Sequence, residues 1–317
     1  MVNVRKQDLS EQAARRELAA AFTERFRSAA GQLGGTSPAE RLPGVYAMAA
    51  LADEYPARRQ QCVDVLCGYL RLPFDPVSDE LAVMTTDTTF AFAAGKTVTT
   101  HVTPAARPFE RQVRDSIVTV VREHTQLETS PSWSDLSFNL TGAHFVDANF
   151  GGATFRGAST SFEGATFSGA YTSFGGATFS GDSTTFGGAT FSGDSTSFWG
   201  ATFEAAFTTF GGATFEAAST WFDRATFSSA STFVGATFSG ASTFVALASF
   251  VRANFNGGTM SFEAAKFIKV SVVFDEVIGR SARITGLADP MLDGGATITA
   301  DGSPFTGWET PTSTQQW

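Results

Sequence analysis

The sequence predicts a mainly β protein, a solenoid of short strands preceded by a small α-helical domain. Three observations carry this. Between Ala143 and Phe274 one unit, small residue, any residue, Phe, recurs 23 times. The spacing of those Phe residues fits neither the 3.6 period of a helix nor the alternation of a single strand. Ahead of residue 130 the composition changes to helix-forming runs with apolar residues at helical spacing. Self-similarity at a fixed short period marks stacked coils, each burying its apolar side on the next.

The spacing gives the detail of the solenoid. Eleven of the 22 intervals are five residues, eight are seven and three are six. Phe155, Phe167, Phe179, Phe191, Phe203, Phe215 and Phe227 lie in the stretch where five and seven alternate without a break, so the period there is 12. Two positions before each Phe stands Ala thirteen times and Thr six times. Positions i−2 and i share a parity, so a short extended segment points both inward and the residue between them outward. The Gly pairs that follow suit corners needing positive φ.

Ala153-Thr154-Phe155-Arg156-Gly157, Ala165-Thr166-Phe167-Ser168-Gly169 and Ala236-Thr237-Phe238-Ser239-Gly240 resemble the pentapeptide-repeat family. The resemblance covers residues 138 to 275 and implies a right-handed quadrilateral β-helix, with each five-residue unit forming one face. The seven-residue intervals depart from the family pattern. Read as two-residue corner insertions, they give 24 residues per coil, with insertions at 158, 182 and 206 on one edge and at 170, 194 and 218 on the opposite edge. About six coils at ~4.8 Å make a rod of roughly 28 Å. Solenoid ends need caps. Trp133 to Leu140 suits the first, with Leu140 a degenerate centre, and Val277, Ile278 and Ile284 the second. Gly302 to Trp317 reads as loose tail.

The helical domain is expected over residues 1–130, the repeat domain over 131–275, and a cap and tail over 276–317. Residues 7 to 33 carry Leu9, Ala13, Leu18, Phe22, Phe26 and Leu33 at roughly helical spacing. Ser37 as N-cap and Pro38 open a second helix carrying Leu42, Val45, Tyr46, Ala49 and Leu51. A third, Gln60 to Leu72, has Val63, Leu66, Cys67 and Leu70 on one face. Residues 73 to 105 read as irregular. A last helix, Phe109 to His124, buries Val113, Ile117, Val118 and Val121. Phe22-Thr23-Glu24-Arg25-Phe26, Arg41 to Ala47 and Val63 to Pro73 are similar to the helical region ahead of the repeats in many actinobacterial pentapeptide-repeat proteins. In those relatives transmembrane helices often come first. Here no run of about 18 apolar residues occurs, and Met1 to Ser10 is too polar for a signal peptide.

Chemistry is sparse. Cys62 and Cys67 read as two small buried residues of a reducing cytoplasm. His101, His124 and His144 are scattered, so no metal or other cofactor is expected. No nucleophile has a base partner and no phosphate-cradling loop is present, so no catalytic activity is expected. The chain carries a net charge of −9. Residues 131–275 hold five basic and ten acidic side chains, and Gly157 to Asp223 hold six acids and no base. This disfavours direct nucleic-acid binding.

The leading expectation is a cytoplasmic scaffold that binds another protein. The rival is a DNA-mimicking inhibitor or protector of DNA gyrase, as some pentapeptide-repeat proteins are. Its candidate contacts are Asp182, Asp194, Glu204 and Glu216. A duplex of roughly 28 Å carries ~16 charges, against a rod of net −5. Trp199, Phe207 and Trp221 fall off the buried positions and are candidate anchors. A remote alternative is water ordering by the Thr columns 154/178/202/226 and 166/190/214, which requires matching columns side by side. Removing residues 1–130 is expected to leave a folded rod.

Overall fold

The structure is a computed structural model that describes residues 2–77, 89–91, 97–99, 109–239, 246–255, 259–268, 270–274, 283–285, 292–293, 297–300 and 303–304. The chain divides into two compact units, Met1–Leu66 with Phe74–Ile117, and Cys67–Pro73 with Val118–Trp317.

In the first unit, α1 (Val2–Leu33) packs on α2 (Pro38–Glu54). Ser37 caps α2, its Oγ accepting from Ala39 N at 3.2 Å, with Pro38 at the first position. The helices approach closely because residue 44 is Gly: a Cβ there would stand 2.7 Å from Leu33 N. Phe22 is buried, its ring edge-on to Tyr55 at 5.2 Å. The stripe expected along α1 holds only in its C-terminal half. Residues 10–21 are exposed all round, Ala13 and Leu18 included, because α2 has 17 residues against 32 in α1 and covers only part of it. Tyr46 of α2 is exposed as well. After a 3-10 turn (Pro56–Arg58) come α3 (Arg59–Leu70) and α4 (Glu110–His124). Val63, Leu66, Val113 and Ile117 are buried as expected. The stretch read as irregular contains an antiparallel pair, Thr89–Ala91 with Thr97–Thr99. His101 lies outside the described residues.

In the second unit the chain visits four faces in turn. Face 1 runs from Phe138–Asn139 through Ser183–Thr185 to Arg283–Thr285, and face 2 from His144–Val146 through Thr190–Phe191 to Leu292–Asp293. Face 3 runs from Tyr171–Ser173 through Ser195–Ser197 to Thr297–Ala300, and face 4 from Thr154–Phe155 through Thr202–Phe203 to Asn254–Phe255. Coil-to-coil pairing is parallel. Ser183 pairs with Phe207, Thr190 with Thr214, Ser195 with Ser219 and Thr202 with Thr226, so these coils have 24 residues. Asp182 and Ala206 therefore stand at the corner between faces 4 and 1. Ala170 and Asp194 stand at the diagonally opposite corner, between faces 2 and 3.

The core is four columns of stacked Phe. On face 1, Phe186 lies 4.9 Å from Phe162 and 4.8 Å from Phe210, nearly coplanar with both; on face 2, Phe191 lies 4.8 Å from Phe167 and from Phe215. Faces 3 and 4 repeat this through Phe174, Phe198 and Phe222 and through Phe155, Phe179, Phe203 and Phe227. The i−2 residue is Ala on faces 2 and 4 and Thr in the regular coils of faces 1 and 3. Thr160, Thr184 and Thr208 are buried like the alanines.

Two kinds of corner follow. Where the interval is five, a tight turn closes with Ala189 N donating to Phe186 O, and Gly188 takes φ 63 as the third turn residue requires. The hydroxyl just before the Phe fastens the turn: Thr185 Oγ1 accepts from Gly187 N at 3.0 Å, and Ser173, Ser197 and Thr209 do the same. Where the interval is seven, successive corners nearly touch, and a Cβ at Gly181 would run into the carbonyl oxygen of Gly157. Arg224, Arg252 and Ala264 hold the positive-φ corner position without being Gly, at 56°, 56° and 54°. Ala264→Gly is therefore expected to stabilise the last coils by ~0.5–1 kcal/mol, removing left-handed strain but adding some unfolded-state entropy. Denaturant titration of the variant checks this; a loss of stability would contradict it.

Three expectations need correction. The repeat count includes Phe244, which lies outside the described residues and to which the ladder gives no place. Trp221 pairs with Ser249 and Phe222 stacks on Phe250 at 4.9 Å, so that coil has 28 residues rather than 24. One unit is present beyond the four that faces can use. The solenoid also does not end at 275. Ile284, Leu292 and Ile298 take the register positions of Met260, Phe267 and Val272, and Ser303–Pro304 then pairs antiparallel with face 3. Val277 and Ile278 lie outside the described residues.

Finally, the N-terminal cap is larger than Trp133–Leu140. Leu140 is a buried centre, its N donating to Ser161 O. The end of α4 takes part too: Thr125 O accepts from Thr154 N, Arg122 and Gln126 donate to Gly151 O, and Ser134 O accepts from Arg156 N and Gly157 N. Trp133 stacks on His124 at 4.2 Å. Cutting at residue 130 would strip these partners from the first coil, so an isolated rod must retain α4 from Val118 onward.

Candidate functional site

The seven predicted core residues, Phe155, Phe167, Phe179, Phe191, Phe203, Phe215 and Phe227, are all buried. They fill faces 2 and 4 and can meet no partner. Recognition must use the outer columns and the corners.

The predicted acids do not share an edge. Asp182 and Glu204 project from the corner between faces 4 and 1, and Asp194 and Glu216 from the diagonal corner. All four are exposed. Other carboxylates of the rod are engaged locally. Asp147 accepts from Ala170 N and Tyr171 N, and Asp223 accepts from Ser249 Oγ and Val251 N. Asp135 meets Arg156 at 2.8 Å; that hydrogen bond holds the Asp135 carboxyl below, and the Arg156 guanidinium above, its usual range. The Thr columns are similarly divided. Thr178 and Thr202 stand on face 4, Thr190 and Thr214 on face 2, on opposite sides of the solenoid. They are not adjacent columns.

The aromatic candidates do converge, in part. Trp221 ends its strand on face 3, and Trp199 sits at the following corner one coil earlier. With Tyr171, Gly175, Gly176 and Ser197 they line an open depression of about 460 Å³. Trp199 and Tyr171 are about half exposed, at 50% and 49%. The Arg224 guanidinium lies over the Trp199 ring, 5.4 Å from its centroid. Phe207 is equally exposed but stands on face 1, across the solenoid.

No family model, no curated protein and no solved structure matches this chain.

Sequence reasoning missed Tyr171 and Arg224. Tyr171 shares its register position with Ser195 and Ser219, so it reads as one more outward residue until the coils are aligned at 24. Arg224 occupies a corner position that is Gly in the three preceding coils, at Gly152, Gly176 and Gly200. Among the described residues no group of His, Cys, Asp and Glu is placed to hold a metal ion, and no helix is long and apolar enough to cross a membrane. Cys62 and Cys67 are buried and form no disulfide. Burial pushes the Cys62 thiol up to about 11, which leaves it inert as a nucleophile near neutrality. His144 Nε2 lies 2.9 Å from Ser168 Oγ on the next coil, a coil-to-coil contact.

Proposed function

We propose that the protein is a non-catalytic scaffold of the pentapeptide-repeat kind, whose face 3 recognises another protein in the cytoplasm. The observation that carries this is the aromatic depression. On a solenoid clothed mainly in Ser, Thr and Gly, three large aromatic side chains gather at one place, although the core has no need of them. Aromatic anchors in a pocket dominate most protein interfaces. A stiff rod holds them at low entropic cost on binding.

The test is affinity capture with the full chain, a Trp199→Ser/Trp221→Ser double variant and a Phe207→Ser control on the opposite face. The double variant is expected to lose the captured protein and the control to keep it. Loss in the control alone would move recognition to face 1 and overturn the reading. Gyrase inhibition by charge mimicry makes a different demand, an edge crowded with carboxylates, whereas the four acids divide two and two between opposite corners. Stoichiometric inhibition of supercoiling that vanishes when Asp182, Asp194, Glu204 and Glu216 are neutralised would put that function in place of the present one.

A further inference from the structure

We propose that the depression on face 3 is an aromatic cage for a compact organic cation of the quaternary-ammonium class. The walls are Tyr171, Trp221 and Trp199, and the floor is Gly175, Gly176 and Ser197. The walls come from three successive coils and from three positions along the face: the first strand residue, the last, and the corner beyond it. They therefore surround the Ser197 position rather than line up along the solenoid axis. A linear ligand such as an extended glycan would need rings in a row. A ring of walls suits a compact group.

Charge selects the ligand. Aromatic faces attract cations through the ring quadrupole, and quaternary ammonium groups are the ligands that aromatic cages hold. The surrounding surface adds to this, since Gly157 to Asp223 contains six acids and no basic side chain. The protein itself shows that the Trp199 ring accepts a cation, because the Arg224 guanidinium already lies over it at 5.4 Å. Arg224 does so from a left-handed corner, φ 56, where the preceding coils use Gly. Strain retained at a surface corner points to a role for the side chain. Here Arg224 is an internal occupant that an external cation displaces or competes with. The floor stays open because glycines form it: nothing stands within 4 Å of a Cβ built on Gly176.

The inference rests on face 3 being the recognition face, and its test is separable from partner capture. Choline is titrated into the full chain and followed by tryptophan fluorescence and by nuclear magnetic resonance of the indole N–H groups. Its neutral isostere 3,3-dimethylbutan-1-ol is titrated in parallel. Choline is expected to bind saturably and about tenfold more tightly than the isostere, a difference of ~1.4 kcal/mol. Trp199→Leu and Trp221→Leu, both at outward positions, are each expected to abolish the effect. Arg224→Gly is expected to tighten binding several-fold by vacating the ring and relaxing the corner. A peptide bearing trimethyl-lysine distinguishes the source of the cation. Tighter binding than choline supports the cage with a peptide-borne cation, and equal binding supports it with a free one. Equal binding of choline and the isostere, no saturable binding of choline, or unchanged affinity in Arg224→Gly would overturn the proposal. Should choline fail to bind while protein capture still requires Trp199 and Trp221, the cage fails and the scaffold reading stands; the reverse result would separate them the other way.

Discussion

Phe198→Ala is expected to destabilise the solenoid by ~3–5 kcal/mol. Phe198 is fully buried and touches its neighbours on every side. It stacks on Phe174 at 5.0 Å and on Phe222 at 4.7 Å, and meets Phe186, Phe191 and Phe210 edge-on at 5.5 to 5.8 Å. Truncation removes the transfer energy of the ring and leaves a cavity. The cavity cannot close, because the ladder fixes adjacent coils at ~4.8 Å and holds the flanking rings in place. Phe198→Leu keeps most of the volume and is expected to cost less than half as much. Because each coil contacts only its neighbours, the damage is local first. Hydrogen exchange should rise most in the strands Tyr171–Ser173, Ser195–Ser197 and Ser219–Trp221. A measured loss below ~1 kcal/mol, or exchange that rises evenly along the solenoid, would contradict the closed Phe columns.

What could be read from the sequence was what repeats. The alternation of five and seven between Phe155 and Phe227 gave 24-residue coils and diagonal insertions, because a side chain that must point inward at every face constrains spacing strongly. The same rule misled where spacing and pairing part company. Phe244 has the right neighbours for a face centre, but backbone pairing, not composition, decides which units join the ladder, and Trp221 pairs with Ser249 across it. The last coil was hidden for the opposite reason: Ile284, Leu292 and Ile298 keep the register after Phe has gone. Non-repeating contacts were invisible. Nothing in the spacing links Thr125 to Thr154, or Tyr171 to Trp199 and Trp221, since three-dimensional register brings them together. Glu110 and Arg41 are the extreme case, two charged residues far apart in sequence whose burial no local pattern announces.

That pair carries the second large effect. Glu110→Gln is expected to destabilise the first unit by ~3–5 kcal/mol. Glu110 opens α4, where a carboxylate also complements the positive end of the helix. It lies between two guanidinium groups, with Oε2 3.7 Å from Arg41 Nε and Oε1 3.2 Å from Arg114 Nε. All three side chains are at least nine-tenths buried. Arg41 also donates to the carbonyls of Gly35 and Thr36, at 3.3 and 2.8 Å, which fixes the connection between α1 and α2. Arg114 lies over the Phe74 ring at 4.5 Å. Removing the single negative charge leaves two positive charges in a poorly solvated place, and glutamine offers no charge to replace it. Replacing all three by apolar residues of similar size, Arg41→Met, Glu110→Leu and Arg114→Met, is expected to cost less than Glu110→Gln alone, because no uncompensated charge remains. Denaturant unfolding followed by the helical circular dichroism signal would show this as an earlier loss of helix in Glu110→Gln, with the triple variant in between. If Glu110→Gln unfolded within ~1 kcal/mol of the parent, the carboxylate would be dispensable to the helical unit, and the three charges would have to be solvated in a way their burial does not allow.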